Sequence, residues 1–421
     1  MKKKTFEKVD ENIYYEKLSN GLEVYLYPTN KTRNFYISIS VKYGANVTQY
    51  KKGNKIVNVI PGSAHFLEHK VMALSENKEI SERINSLGSL ANAWTNYHGT
   101  NYNIFGSINL IENLKLLLDI FYNTNINEKC VEEEKGIIGE EIDMYKDQIN
   151  SYMFDQLYKN LFNNSYVKNT VVGERNDIEG ITAKRLNEIY NDFYVPNNTF
   201  IIVTGNFDPN DVMNVIKDYI NRINIKPKKI PHRMKNKELE KVNISYEEIK
   251  KDMEDVRVKY AIKMKKNIFN IKSNSLLRRY INLILFNNFS ASGALFEKYK
   301  NENIVVSIGY NVNIIDDYVV IAISALCNDG DIFIARISKD ITKLTFSKNE
   351  FERKKKLLLK SYIMDFDNIE DVEYNICESI LMENKIDYNE YSSILNMDYD
   401  KAIDILKQFN FDNVSVIRTI K

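Results

Sequence analysis

The 421-residue chain is short of cysteine, histidine, net charge and long apolar runs, and each shortage removes a class of function. Its three cysteines, Cys130, Cys327 and Cys377, are odd in number and far apart. They supply neither a disulfide framework nor a Cys-x-x-Cys metal site, and they fit a reducing cytoplasm. With 58 basic residues against 57 acidic ones the net charge is +1, which removes the usual electrostatic ground for nucleic acid or an anionic membrane as the main partner. No apolar run approaches the roughly 20 residues that span a bilayer. Met1-Lys2-Lys3-Lys4 is basic like the start of an export signal, but Glu7, Asp10 and Glu11 follow before an apolar segment can form, so the expected location is the cytoplasm. What remains is ordinary. Hydrophobic residues at 44% and charged ones at 27% describe a folded, soluble protein, and the length favours two or three cores over one.

The order of patterns predicts a mixed α and β chain. Ser19-Asn20-Gly21 separates segments 13–18 and 22–27 and reads as a hairpin turn, because Asn-Gly suits positive φ. In 35–41, Phe35, Ile37, Ile39 and Val41 alternate with polar or smaller residues, the period of a half-buried strand. Pro61-Gly62-Ser63 breaks the chain before a helical pattern, with Ser63 as the expected N-cap. Helical patterns follow at 80–87, 111–122 and 131–148, with a strand-like stretch over 90–107. Segment 199–204 is another strand, and Asp208-Pro209 opens a helix over 210–223.

Residues 225–242 carry Pro227, Pro231 and many lysines with little apolar periodicity, and read as a linker. The expected division is a first domain over 1–225, a linker over 226–245 and a second domain over 246–421. The second half repeats the plan loosely, with strand 256–264, helix 276–299, strands 305–310 and 318–326, helix 401–409 and strand 414–420. That similarity is compatible with duplication.

The chemistry concentrates in Gly62-Ser63-Ala64-His65-Phe66-Leu67-Glu68-His69. On a helix His65, Glu68 and His69 share one face, while Phe66, Leu67 and Val71 turn to a core. Two imidazoles one turn apart can both reach a zinc ion at about 2.0 to 2.1 Å, and the carboxylate between them can take a proton from an attacking water. This is the inverted H-x-x-E-H form of the zincin pattern. The chain has only four histidines, so chance placement of two around a glutamate is a poor alternative. His98 and His232 fall in a loop and in the linker and are not assigned to metal. A catalytic zinc usually takes three protein ligands. The best source of the third is the helix with Glu132, Glu133, Glu134, Glu140 and Glu141, where Glu134 and Glu141 lie two turns apart on one face; read alone, without the upstream motif, that helix is better taken as a solvated acidic surface.

At this point the sequence resembles the pitrilysin, insulinase and mitochondrial processing peptidase family, M16, and within it the short bacterial, YmfH-like zinc subunits. The likeness runs through Leu18-Ser19-Asn20-Gly21-Leu22, Ala64-His65-Phe66-Leu67-Glu68-His69-Lys70, Ala91-Asn92-Ala93-Trp94-Thr95, the segment from Val131 to Tyr145, and Phe193-Tyr194-Val195-Pro196-Asn197-Asn198. The resemblance implies an α+β fold of two homologous α/β sandwich halves, of the M16 or LuxS/metallohydrolase-like type. It implies zinc on His65, His69 and Glu141, Glu68 as general base, and Glu134 as an acid supporting the site from behind the ligands, with Glu140 a bystander. It also implies an edge strand at Asn92 and Ala93, where an extended peptide adds as a β-strand and the asparagine meets its backbone. Thr100 and Tyr102 fit the same strand, in a binding or a structural role.

One part of the family pattern is missing. Many members carry arginine and tyrosine in a second-half stretch, R-x-x-x-G-L-x-Y, that stabilise the developing oxyanion. Here the stretch from Phe296 to Ser307 offers Lys300 for the arginine and an aliphatic residue or Ser307 for the tyrosine. Half-length members of the family form dimers around a chamber, and in some one chain brings the metal and the other the pair. The resemblance therefore implies a zinc endopeptidase for short or unfolded peptides. It would be the metal-carrying subunit of a heterodimer whose M16-like partner supplies the pair, with a homodimer as the other arrangement. Maturation of a ribosomally made peptide is one setting. The competing expectation is a scaffolding subunit that keeps the fold without the chemistry.

Overall fold

The computed structural model describes residues 1–72, 78–253 and 255–421. The chain begins with β1 (Lys2–Phe6), β2 (Glu11–Lys17), β3 (Glu23–Pro28), β4 (Phe35–Val41), β5 (Gln49–Lys52) and β6 (Lys55–Asn58). Then come α1 (Ser63–Met72), α2 (Lys78–Ser86), β7 (Ser89–Thr95), β8 (Thr100–Gly106), α3 (Leu110–Tyr122), α4 (Glu128–Asp147) and α5 (Ile149–Leu161). After α6 (Arg175–Glu179), α7 (Ala183–Phe193), β9 (Thr199–Gly205), α8 (Pro209–Ile223) and β10 (His232–Arg233), the second half opens with β11 (Tyr246–Lys250) and β12 (Val256–Lys265). It continues through α9 (Asn274–Phe289), α10 (Ala294–Asn301), β13 (Val305–Ile315), β14 (Tyr318–Cys327), α11 (Gly330–Asp340), α12 (Lys348–Met364) and α13 (Ile369–Glu383). Last are α14 (Glu390–Leu395), α15 (Tyr399–Lys407) and β15 (Val414–Ile420).

Contacts divide the chain into two compact units, and neither is contiguous. The first holds Met1–Lys146, Asn169–Lys235 and Ile363–Asn389, the second Asp147–Lys168, Asn236–Tyr362 and Glu390–Lys421. The crossing between Lys235 and Asn236 lies inside the segment that reads as a linker. The other crossings have no such mark: helix α5 belongs with the second unit and helix α13 with the first.

Among the described residues the first unit is built on a seven-stranded sheet in the order β1-β2-β3-β9-β4-β8-β7, and the second on a five-stranded sheet, β11-β15-β12-β14-β13. Five strands of the first sheet repeat the second strand for strand. β3 with β9 and β11 with β15 are parallel, whereas β9–β4, β4–β8 and β8–β7 match β15–β12, β12–β14 and β14–β13 as antiparallel pairs. The exchanged helices fit this plan: α13 packs on β9 and β4, and α5 on β15 and β12, the corresponding strands. The α+β class and the two-halved plan are thus present.

In the first unit the helices α1, α3, α7 and α8 cover one sheet face and share its largest core, with Ile37, Ile39, Tyr102, Ile104, Ile201 and Val203 from the strands. On the other face Tyr25, Tyr27, Phe200 and Ile202 meet Val372, Ile376 and Ile380 of α13. This changes the reading of β4. Its alternation predicts a half-buried strand, yet Ser38 and Ser40 on the polar side are both 0% exposed, because α13 lies over them and takes them into hydrogen bonds. The helix expected over 276–299 is also broken. Helix α9 ends at Ser290 in extended backbone and α10 starts after Gly293, where a Cβ would stand 2.5 Å from the Asn288 carbonyl.

Candidate metal centre

Helix α1 starts where Gly62 turns the chain at φ +84, with no room for a side chain: a Cβ would lie 2.6 Å from the Val172 carbonyl oxygen. The Gly62 carbonyl accepts the first helical bond, from the Phe66 amide at 2.8 Å. Ser63 is therefore the first residue of the helix and not its cap, and its hydroxyl donates backwards to the Ile60 carbonyl at 2.6 Å. Phe66, Leu67 and Val71 are buried in the core, which turns His65, Glu68 and His69 together. One ligand atom from each lies within 4.8 Å of the others.

Helix α4 supplies the facing acids. Glu141 places its oxygens 3.5 Å from His65 Nε2 and 3.4 Å from His69 Nε2. Two turns earlier on the same face, fully buried Glu134 sits 2.9 Å from His69 Nδ1 and 2.6 Å from the Lys70 ammonium. Lys70, itself buried, also donates to the Cys130 carbonyl at 3.0 Å. Glu140 is exposed. Burial lowers the pKa of His69, but hydrogen bonds to Glu134 and Glu141 outweigh it and raise the value to about 10. Burial raises Glu141, and bonds to the two histidines overcome that and hold it well below the usual carboxylate range.

The donor set fits a zinc ion. Atoms held at about 2.0 to 2.1 Å around one tetrahedral ion stand about 3.3 to 3.4 Å apart, and the imidazole-to-carboxylate separations here are 3.5 and 3.4 Å. Glu134 occupies Nδ1 of His69 and leaves Nε2 facing inward, the usual way a carboxylate fixes a metal-binding imidazole. His65 has no such tether. Its buried Nδ1 meets no hydrogen-bonding group among the described residues, so packing orients that ring.

Glu68 is held from the other side. The Thr95 hydroxyl, at the end of β7, donates to its Oε2 at 2.6 Å. Strand β7 is the outer strand of its sheet. Asn92 is exposed on it, and its side-chain oxygen accepts from the Ala93 amide at 2.9 Å. Tyr102, opposite Ala93, is buried and exchanges a hydrogen bond with Tyr194, which gives it a core position, and Thr100 donates to the Tyr43 carbonyl. His98 lies in the β7–β8 turn beside Asn46, and His232 pairs with Lys51 across β10 and β5; neither joins the metal group. Lys300 and Ser307 are exposed in the second unit, on α10 and β13.

Two further residues stand beside the site, although the sequence pattern gives neither a role. Thr95 sits in the Ala-Asn-Ala-Trp-Thr stretch, and its place at the inward-facing end of the strand was the available signal. Tyr145, one turn beyond Glu141, is near enough that burial and the charges of Glu141 and Glu68 push its hydroxyl pKa up.

Comparison with known proteins gives the family. Residues 58–175 match the family model described as Insulinase (Peptidase family M16), and residues 180–358 the one described as Peptidase M16 inactive domain. The chain belongs to the M16 peptidase family. The zinc protease YmfH of Bacillus subtilis is 29% identical to it over 366 residues, 84% of each chain. The mitochondrial-processing peptidase subunit beta of Dictyostelium discoideum is 24% identical over 379 residues, 86% of this chain and 77% of that one. In fold the M16 chain is similar to an M16-like peptidase from Alicyclobacillus acidocaldarius, with a TM-score of 0.88 at 20% identity over 97% of this chain and 98% of that one. No helix among the described residues of this M16 chain is long and apolar enough to cross a membrane.

Proposed function

We propose that this M16 chain is a zinc-dependent endopeptidase for short or unfolded peptides, acting in the cytoplasm as the metal-carrying subunit of a two-chain peptidase. The observation that carries the reading is the convergence of His65 Nε2 and His69 Nε2 on the Glu141 carboxylate at 3.5 and 3.4 Å. Bound there, zinc supplies a Lewis acid that polarises a peptide carbonyl and makes water easier to deprotonate at neutral pH. His65, His69 and Glu141 hold it. Glu134 fixes the His69 ring and makes it a better donor. Glu68 stands between the histidines on α1, takes the proton of the attacking water and hands it to the leaving amine. The open edge of β7 at Asn92 and Ala93 lets an extended peptide add as a further strand, so main-chain bonds give affinity without reading side chains.

Support for the partner comes from the second half, where Lys300 stands in place of the arginine and an aliphatic residue or Ser307 in place of the tyrosine. A homologous subunit carrying that pair would complete oxyanion stabilisation, and losing one such donor typically costs about 10² to 10³ in turnover. The maturation of a ribosomally made peptide is a setting that such a pair of chains would serve.

The deciding experiment is zinc analysis with a fluorogenic peptide assay of the chain alone and with its partner. About one zinc per chain is expected, with activity rising by at least 10² on adding the partner. Glu68→Gln should keep the metal and lose nearly all hydrolysis. A metal-free chain would favour the scaffolding reading, and wild-type turnover in Glu68→Gln would remove the general base.

A further inference from the structure

We propose that Thr95 is a positioning residue for Glu68, holding the base by a hydrogen bond from the fixed end of β7. The inference rests on the general-base reading of Glu68. Thr95 Oγ1 lies 2.6 Å from Glu68 Oε2 and 3.3 Å from Thr100 Oγ1, and Thr100 Oγ1 donates to the Tyr43 carbonyl at 3.1 Å. Thr95 has one proton and two acceptors in reach, and it goes to the nearer, Glu68; Thr100 gives its own proton to the Tyr43 carbonyl and packs beside Thr95. A glutamate side chain has three rotatable bonds, and a donor on a fixed strand removes the freedom that would let the carboxylate swing away.

The strand end that carries Thr95 is itself fixed by its hairpin partner and by α13. Thr95 and Thr100 are direct partners in the β7–β8 register, and Thr100 is 0% exposed. The next residue, Asn96, accepts from the amides of His98 and Gly99 at 2.7 and 3.0 Å and donates to Glu378 of α13 at 2.8 Å. Gly99 packs against Leu381 so closely that a Cβ would stand 2.4 Å from its methyl carbon. Trp94, pointing opposite to Thr95, meets Tyr374 with ring centroids 6.2 Å apart. The hydroxyl thus approaches Glu68 from a rigid hairpin held down by a helix from the far end of the chain, the kind of support a catalytic carboxylate needs to keep its reactive geometry.

The test uses the full-length chain with its partner subunit and compares Thr95→Val, Thr95→Ser and Glu68→Gln. Valine keeps the β-branched shape the strand prefers and removes only the hydroxyl. Three readouts are taken: zinc content, kcat and KM on a fluorogenic unfolded peptide, and the crystallographic position of the Glu68 carboxylate. In Thr95→Val the expected result is a rotated Glu68, unchanged zinc and KM, and a fall in kcat of about 10- to 100-fold. Thr95→Ser should restore both carboxylate position and turnover. Glu68 unmoved in the valine variant would overturn the proposal, as would a loss confined to KM or zinc content, which is what a merely structural threonine would show. Near-normal activity of Glu68→Gln would instead sink the general-base reading, and the crystal structure of Thr95→Val would still decide whether the tether exists.

Discussion

Glu373 offers a test of the exchanged helix. It is 1% exposed on α13, under the central strands, where it accepts from the Ser38 hydroxyl and, at 3.1 Å, from Asn101 Nδ2. Burial pushes its pKa up to about 7, the two hydrogen bonds pull it down, and Glu370 and Glu378 add to the rise. The native state therefore holds this proton more tightly than the unfolded chain, whose value is near 4.5. Its contribution to stability is greatest below about pH 4.5, falls as pH rises towards 7 and is flat above. Two and a half pH units at about 1.4 kcal/mol each give a loss of about 3.5 kcal/mol. Glu373→Gln keeps an acceptor for Ser38 and abolishes the titration, so the stability gap between variant and parent should widen by that amount from pH 4.5 to 8. Acids common to both proteins cancel in the difference. Trp94 is the only tryptophan and lies against Tyr374 of the same helix, so urea unfolding followed by its fluorescence reads this contact directly. Parallel stability curves across that range would refute the reasoning.

Further outcomes follow from single contacts. His65→Ala, His69→Ala and Glu141→Gln should each lose zinc while Glu140→Gln keeps it, measured by metal analysis after dialysis; full occupancy in any of the first three would refute the ligand set. Gly62→Ala forces a side chain into left-handed backbone and onto the Val172 carbonyl at 2.6 Å. It should shift the start of α1 and weaken zinc binding at least tenfold in a chelator competition, and unchanged affinity would contradict that. Lys263 is buried with its ammonium 2.8 Å from Glu238 and from the carbonyls of Leu161 and Leu239. Lys263→Met should destabilise the second unit by about 3 to 5 kcal/mol in urea unfolding, and a loss under 1 kcal/mol would show the cluster to be dispensable.

The metal group was legible because its chemistry is local. Helical spacing alone puts His65, Glu68 and His69 on one face, and α4 carries Glu134 and Glu141 at two turns' separation whatever the rest of the chain does. What spacing could not say is which face of α4 meets α1, and the acidic run from Glu132 to Glu141, read alone, favours a solvated surface. Packing decides it: Val131, Ile138 and Ile142 enter the core, which carries Glu134 inward and leaves Glu140 in solvent. The Ser63 cap failed for a similar reason. Pro61-Gly62-Ser63 marks the break correctly, but the left-handed turn at Gly62, where Val172 leaves no room for a side chain, sets the helix start one residue earlier.

The exchanged helices were not legible, and the strand patterns show why. Ser38 and Ser40 on β4, and Lys259 and Lys263 on β12, alternate with apolar residues as if one side of each strand faced water. All four are at most 3% exposed. A polar side chain can be buried if the covering helix brings partners, and each helix does. Helix α13 brings Glu373 and Cys377 to the two serines. Helix α5 sets Phe154 3.7 Å below the Lys259 ammonium, and Phe162, just past its end, lies 4.4 Å from that of Lys263. β4 and β12 hold corresponding places in the duplicated sheets, and α13 and α5 cover them in corresponding ways, so the polar stripe belongs to the plan of both halves. A period-two pattern reports which face is polar; only the segment that arrives from the other half of the chain determines whether that face is wet. Removing α13 would therefore expose the outer face of β4 and β8 and, through Asn96 and Trp94, free the hairpin that carries Thr95 to Glu68. The first unit needs residues 363–389 as much as it needs its own sheet.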